Sequence, residues 1–432
     1  MRLTLYIVVI VALFTWLSCH SNPTGPNQHE IAIMAEWVGV TDAALRLHII
    51  YTLSSDKFQL REDTAVIATG RIPLTDTVVY IDNLLPYRSY YFYLAKLDSA
   101  GAIEGGSTLT LMTMDTTSNN FTWQFDTLAG QGGSSYLSDV VILDDTTAYA
   151  VGALYMLDSA GNYDPDPYNF IVWNGKTWNP QKVGSVFNGR LLTGPSGCVF
   201  AFSRNDIWVD GVSHWDGATW QATNSGFGVA LYRLWGTSSS NLYGVGENGT
   251  IFHYDGSQWT QLQSGTTLDI QDIWGATDST TGQQTILAVA SNDAVSLDRA
   301  ILKIDGTSVQ AIADSGIYQP LNGVWFKPNE QYYVVGSGIY EKQTLADPLW
   351  HSYGLTITHY YTPRIRGTDV NDVWASGAYG EIVHFNGARW KSFQSETWLD
   401  NGAYAGLAVK GNLVIAVGGL NPVAIIAMGR RQ

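Results

Sequence analysis

A strand-and-turn pattern that recurs about every 40 residues constrains this chain more than any other feature. Three segments carry it most plainly: residues 198–223 (CVFAFSRNDIWVDGVSHWDGATWQAT), 231–262 (LYRLWGTSSSNLYGVGENGTIFHYDGSQWTQL) and 363–393 (PRIRGTDVNDVWASGAYGEIVHFNGARWKSF). Each has a hydrophobic strand, a Ser/Asn/Asp turn, a second strand ending in Gly, and a third strand. An Asp-Gly or Asn-Gly turn and a strand starting with Trp complete it. Trp259 follows Trp220 by 39 residues, and Trp274 follows Trp235 by the same interval.

Four short strands per repeat predict β-propeller blades. Seven inner strands are read at residues 139–143, 198–202, 231–235, 270–274, 321–326, 364–367 and 405–409, with six or eight blades as alternatives. The dipeptides Asn174-Gly175, Asp216-Gly217, Asp255-Gly256, Asp305-Gly306 and Asn386-Gly387 are hairpin turns, where Gly supplies positive φ. Gly152, Gly211, Gly246, Gly336, Gly377 and Gly418 end second strands, where a crowded axis asks for no side chain. Trp178, Trp220, Trp259, Trp350 and Trp390 are expected to pack between neighbouring blades. The last repeat stops after its third strand, residues 423–428. Its missing Trp strand stands at residues 120–125 (NFTWQF), which closely match 218–222 (ATWQA). Pairing of the two would close the ring and remove two exposed edges.

Charged residues make up 14% of the chain, against roughly 25% in an average soluble protein. The 23 Lys and Arg against 38 Asp and Glu give a net charge of −15. Nucleic-acid binding requires a basic footprint that displaces counterions, and this chain has none. Polybasic attachment to anionic lipid fails for the same reason. Two cysteines, Cys19 and Cys198, offer neither a disulfide framework nor a Cys-based zinc site. Cys198 reads as a buried structural thiol. No cofactor or metal is called for.

Residues 1–19 read as an export signal. Met1-Arg2 is a charged start, and residues 3–17 are an apolar run of the length of a signal-peptide core, short for a membrane span. Ser18-Cys19 resembles the bacterial lipobox, although Trp16 stands where Leu is preferred. The resemblance implies that Cys19 is lipidated and becomes the new N-terminus. Residues 20–29 are a polar tether. His20, where an aspartate would mark inner-membrane retention, favours an outer-membrane or cell-surface location.

Residues 30–115 alternate in short strands, such as 44–51 and 77–81. Residues 84–101 (LLPYRSYYFYLAKLDSAG) place a Leu-x-Pro corner before a Tyr-rich strand and an Asp-Ser-Ala-Gly turn. This segment resembles the fibronectin type III domain, an immunoglobulin-like sandwich. The resemblance implies that Tyr90 pins the corner by hydrogen bonding to backbone, that Trp37 lies on an inner sheet, and that residues 107–114 form the last strand. Such modules act as spacers or binding platforms. His48, Glu62 and Asp63 read as strand and loop positions. Fold class is therefore all-β: a type III-like sandwich at 30–115, then a propeller at 120–432.

The repeat turn resembles the Asp-box of sialidase-like propellers, with Asp and Gly made adjacent. His214, His253 and His384 precede it by two residues in three different blades, so they read as repeat positions rather than metal ligands. Candidate function lies in aperiodic loops. The longest insertion, residues 154–169 (LYMLDSAGNYDPDPYN), carries Tyr155, Tyr163, Asp164, Asp166 and Tyr168. Blade junctions add Tyr318, His359, Tyr360, Tyr361, Trp398, Asp400 and Tyr404. Aromatic faces beside carboxylates suit sugars or peptides, and equally a protein interface. Asp158, Asn162, Asp164 and Asp166 are oxygen-rich, but their spacing is not that of an EF-hand.

The whole chain resembles a group of uncharacterised bacterial surface lipoproteins, some labelled glucosyltransferase. Asp164-Pro165-Asp166 spells the Asp-x-Asp of many glycosyltransferases, yet no α/β nucleotide-binding pattern surrounds it. A glycosidase needs two facing carboxylates, for which Glu396, Asp400 and Asp166 are the candidates. No Walker, dinucleotide or nucleophile-elbow motif occurs. The sequence thus leads to a lipid-anchored, non-catalytic surface protein that binds a protein or glycan through propeller loops. A carbohydrate-active enzyme using the same face is the alternative.

Overall fold

Short runs rich in β-branched and aromatic residues, punctuated by Gly, Asn and Asp, set most of this chain in antiparallel strands. The computed structural model describes residues 7–8, 30–50, 57–71, 76–130, 133–158, 160–162, 164, 166–187, 190–192, 195–223, 227–292 and 297–432. Cys19 and the tether lie outside them. Two compact units divide the chain, Met1–Thr117 and Ser118–Gln432.

The first unit holds two four-stranded antiparallel sheets. One runs Ile7–Val8, Thr77–Asp82, Asp42–Ile50, Glu30–Val38; the other runs Ala65–Arg71, Lys57–Glu62, Ser89–Leu97, Ile103–Met112. Alternate residues Leu45, Leu47, Leu60, Val79, Phe92 and Leu94 share one buried cluster. The Tyr90 hydroxyl accepts a hydrogen bond from the Leu85 amide at 2.6 Å. His48, on the strand Asp42–Ile50, pairs with Asp76, the residue before the neighbouring strand Thr77–Asp82. The last strand begins at Ile103, earlier than the Ser107 start read from the sequence. The turn is the reason: Gly101 takes φ 91° and the Asp98 amide donates to the Ala102 carbonyl at 2.8 Å, so pairing resumes at once. Gly105 and Gly106 then fall inside the strand, where the Tyr93 ring lies over Gly106.

The second unit is a seven-bladed β-propeller. The inner strands of blades 1 to 7 are Tyr136–Asp144, Val199–Ser203, Leu231–Ser238, Ile270–Thr277, Leu321–Lys327, Arg364–Asp369 and Ala403–Lys410. Blade 7 is completed by Phe121–Leu128, which pairs with Val423–Arg431 in the register Trp123 to Gly429. In blades 1, 2, 3 and 6 the third hairpin turn is built alike. Asn174, Asp216, Asp255 and Asn386 each accept two backbone amides at 2.8–3.1 Å through one side-chain oxygen. His214, His253 and His384 each bond across their own blade to Asp206, Asn241 and Asp372 at 2.8–2.9 Å. The repeat tryptophans pack on the preceding blade: Trp220 on Phe170, Trp259 on Trp208, Trp390 on Tyr333, at ring separations of 5.2–6.0 Å.

Five of the second-strand glycines are dictated by backbone approach. A Cβ at Gly152, Gly246, Gly336, Gly377 or Gly418 would stand 1.8–2.2 Å from the carbonyl oxygen that leads into the same blade's inner strand. Gly211 differs: it takes φ 66° and faces Phe227.

Closure rests on more than the ladder. Asp372 of blade 6 accepts hydrogen bonds from Thr368 Oγ1 at 2.6 Å, Trp374 Nε1 at 3.0 Å and the Arg431 guanidinium. His384 bridges Asp372 at 2.9 Å and Asn119 at 2.6 Å. Arg431 from one end of the unit thus bonds Asp372 directly, Asn119 from the other reaches it through His384, and Phe121 adds an edge contact to Trp374 at 4.7 Å.

Inner strands of a propeller line its channel, and here they put charge into it. In blades 1, 3, 4, 5 and 7 a bulge opens the inner strand, and pairing resumes at Asp139, Arg233, Asp272, Gly323 and Gly406. Arg366 of blade 6 reaches Asp272 of blade 4 with both terminal nitrogens at 2.8 Å. Arg233 of blade 3 donates to the carbonyls of Ser138 in blade 1 and Ala405 in blade 7, both at 3.2 Å. Asp272 also accepts the Val324 amide of blade 5 at 3.0 Å, and Asp139 the Val199 amide of blade 2 at 3.2 Å. These bonds cross the ring as well as running round it.

Candidate functional site

Antiparallel order puts the loops joining second to third strands at the same end of the ring as the junctions between blades. Among the described residues, the large apolar side chains that the propeller exposes are concentrated there. Tyr136, Leu157, Val212, Leu297, Tyr318, Leu355, Tyr361, Tyr379 and Trp398 lie at this end; Phe125 and Leu349 do not. Contiguous exposed apolar surface marks an interaction site more often than scattered residues do.

Four loop aromatics, two of them among these exposed residues, form a cluster on blade 6 in which Tyr379 and Trp398 are stacked and the other neighbouring pairs are tilted. His359 and Tyr360 come from the junction before its inner strand, Tyr379 from its second-to-third-strand loop, and Trp398 from the junction after the short helix Gln394–Thr397. Ring centroids are 6.4 Å apart for His359 and Tyr360, 4.6 Å for Tyr360 and Tyr379, and 6.1 Å for Tyr379 and Trp398. Trp398 is 50% exposed and Tyr379 38%. The Trp398 indole donates to Asp400 at 2.9 Å, which fixes the ring's orientation at the surface.

The loop that carries Tyr379 is stitched into both junctions. Tyr379 has φ 56°, a region costly for a bulky residue and held only where the surroundings enforce it. Its amide donates to the Gly402 carbonyl at 2.8 Å, and the Ala378 amide to the Tyr361 carbonyl at 2.9 Å. Next to it, Gly380 takes φ 75°, and a Cβ there would stand 2.0 Å from the Thr397 carbonyl oxygen. The aromatic rings are thus presented by a braced loop.

Beside His359 in this cluster lies Glu381, whose side chain is fully buried. One oxygen accepts the His359 amide at 3.0 Å; the other stands 3.6 Å from the exposed His359 ring and has no hydrogen-bond partner. Burial pushes the Glu381 carboxyl above the usual range, against the stabilising bond from His359.

Of the residues singled out from the sequence, His359, Tyr360, Trp398 and Asp400 are brought together. Tyr404 is buried below them. Tyr318 is 69% exposed in the junction before blade 5. The blade 1 insertion is organised around its own contacts. Asp158 accepts the amides of Ala160 and Asn162 at 2.9 and 2.8 Å. Asp164 pairs with Lys182 at 2.6 Å and accepts the Asp166 amide at 3.0 Å. The Lys182 ammonium stands 4.9 Å from the Tyr168 ring centre, and the Tyr155 amide donates to Ser135 at 3.0 Å. Tyr163 lies outside the described residues. Among the described residues, no group of three or more His, Cys, Asp or Glu side chains is placed to hold a metal ion.

Tyr379 and Glu381 escaped the sequence reading because their loop, residues 377–381, is much shorter than the blade 1 insertion, and insertion length was the signal followed. The bulky residue between two glycines in Gly377-Ala378-Tyr379-Gly380 was the available clue.

No protein-family model matches the chain, and no curated protein does. Among solved structures it is similar to YCF48 bound to the D1 peptide, with 14% identity and a TM-score of 0.53 over 73% of this chain and 99% of that one. It is also similar to PorZ, described as an essential surface component of the type-IX secretion system of Porphyromonas gingivalis, with 11% identity and a TM-score of 0.48 over 91% of this chain and 62% of that one. The GH74 enzyme of Niastella koreensis follows with 12% identity and a TM-score of 0.41, over 78% of this chain and 47% of that one. At such identities the likeness to YCF48 shows the propeller fold alone.

Proposed function

We propose that this protein is a non-catalytic, surface-anchored binding module whose propeller captures a polypeptide segment on the aromatic cluster of blade 6. The observation that carries this reading is the run His359–Tyr360–Tyr379–Trp398, exposed except at the half-buried Tyr360 and braced by backbone bonds and by Asp400. Rigid aromatic anchors beside hydrogen-bonding groups supply most of the energy in protein interfaces, because they bury area at little entropic cost. A peptide is held by YCF48 in the similar structure. Immobilised protein offered to cell extract and, in parallel, to a glycan array tests the class of ligand. Trp398→Ala is expected to weaken capture of the retrieved polypeptide at least about tenfold. Binding that is confined to glycans would replace this reading with a lectin. Turnover of a glycoside or sugar nucleotide, abolished by Asp166→Ala, would replace it with an enzyme.

The anchor belongs to the same proposal. Cys19 is its lipid attachment site, residues 20–29 the tether, and the first unit a type III-like spacer or platform, a role the Tyr90 corner bond supports. No described helix is long and apolar enough to cross a membrane. Growth with a labelled fatty acid is expected to tag the protein, and Cys19→Ser to lose the label and release the chain from the membrane fraction. Full labelling of the Cys19→Ser chain would place the anchor elsewhere.

A further inference from the structure

We infer that the mouth of the propeller channel is an oxyanion site, with the Arg364 guanidinium as its principal ligand. The guanidinium groups of Arg233, Arg364 and Arg366 gather where the inner strands begin, with the carboxylates of Asp139, Asp272 and Asp210, the last of which is engaged by the Gly197 and Cys198 amides. Arg366 takes both oxygens of Asp272. Arg233 stands 3.8 Å from Asp139 and spends its terminal nitrogens on carbonyls. Arg364 is the remainder. Its side chain is nine-tenths buried, and Nη1 donates to the carbonyls of Asn322 at 2.9 Å and Pro363 at 2.7 Å. Its Nε has no hydrogen-bond partner, and among the described residues no carboxylate forms an ion pair with it.

A buried cation without a counter-charge is costly, and a low-dielectric setting magnifies the effect of supplying one. The planar guanidinium fork is complementary to an oxyanion that accepts two parallel N–H bonds. A nearby group points the same way. The Nε of Arg233 also lacks a hydrogen-bond partner. Burial first, then the neighbouring Arg233, pull the Arg364 guanidinium down to about 9, against the opposing effect of Asp272 and Asp139. Arg364 is the first residue of its inner strand, at the end of the ring that carries the aromatic cluster. A carboxylate or an inorganic oxyanion shares the required chemistry.

Thermal unfolding of the purified protein in sodium acetate, sodium sulfate and sodium chloride at matched ionic strength tests the site, since a ligand bound only by the folded state raises Tm saturably. Acetate or sulfate is expected to raise Tm above chloride, and the rise to vanish in Arg364→Met. Arg364→Lys, which keeps the charge and loses the fork, is expected to bind at least about tenfold more weakly. A response to acetate alone identifies a carboxylate site, and a response to sulfate alone a site for tetrahedral oxyanions. Equal rises in wild type and Arg364→Met would overturn the inference, as would no rise above chloride in the wild type. Should Arg364→Met not fold, calorimetric titration of the wild type decides, and no saturable heat with either ion overturns it.

Discussion

Asp272→Ala is expected to destabilise the propeller by about 3–5 kcal/mol, because it strands the Arg366 guanidinium in the channel without its carboxylate. The pair joins blades 4 and 6 with two bonds of 2.8 Å, and Asp272 also holds the Val324 amide of blade 5. Loss of one side chain therefore loosens three blades. Fluorescence-detected denaturation reads the effect on the right unit, since every tryptophan except Trp16 and Trp37 lies in the propeller. The double change Asp272→Leu/Arg366→Met removes both charges and is expected to recover most of the loss, as hydrophobic replacements of buried pairs do. The pH dependence has a defined sign. Burial alone would raise Asp272, but Arg366, with Arg364 and Arg233 behind it, holds the carboxyl below its ordinary value. A depressed carboxylate contributes fully above the unfolded pKa, and the contribution fades as pH falls through the folded one. Asp272→Ala should therefore remove part of the acid-side loss of stability, below about pH 4. A midpoint unchanged at neutral pH would mean that the channel charges do not hold the ring together.

Removal of residues 121–128 is the second large effect. This strand supplies eight register pairs to Val423–Arg431 and places Phe121 and Trp123 against Trp374 and Phe393. Without it, blades 6 and 7 lose a shared aromatic core, and the third strand of blade 7 becomes a bare edge open to intermolecular pairing. The expected result is loss of the cooperative propeller transition together with aggregation. The first unit, which has its own buried cluster, should keep its far-UV signature. A deletion chain that stays monomeric and unfolds at the wild-type midpoint would show that ring closure is dispensable.

Blade repeats were legible in the sequence because turn chemistry is local. The Asp-Gly and Asn-Gly pairs that set the hairpins also fix register, and the closing strand betrayed itself through the match of NFTWQF to ATWQA. The channel was not legible. Asp139, Arg233, Asp272 and Arg364 sit in strands that read as apolar cores, and only the three-dimensional ring reveals that a bulge turns some of those positions toward partners dozens of residues away. The candidate site was half legible for a related reason. Junction residues such as His359, Tyr360 and Trp398 stand out by composition. Tyr379 and Glu381 matter through backbone geometry, a positive φ and a buried carboxylate, which residue type alone does not announce.

The dissociation constant of the captured polypeptide discriminates best between the two loop clusters of this face. It is to be measured for the wild type, for Tyr379→Ala/Trp398→Ala, and for Tyr155→Ala/Tyr168→Ala. The blade 6 pair is expected to weaken binding at least about a hundredfold, as loss of two aromatic anchors does. The blade 1 pair is expected to leave it within about threefold, as changes at the edge of an interface do. Undiminished affinity in Tyr379→Ala/Trp398→Ala, with the loss appearing instead in Tyr155→Ala/Tyr168→Ala, would contradict a binding site on blade 6.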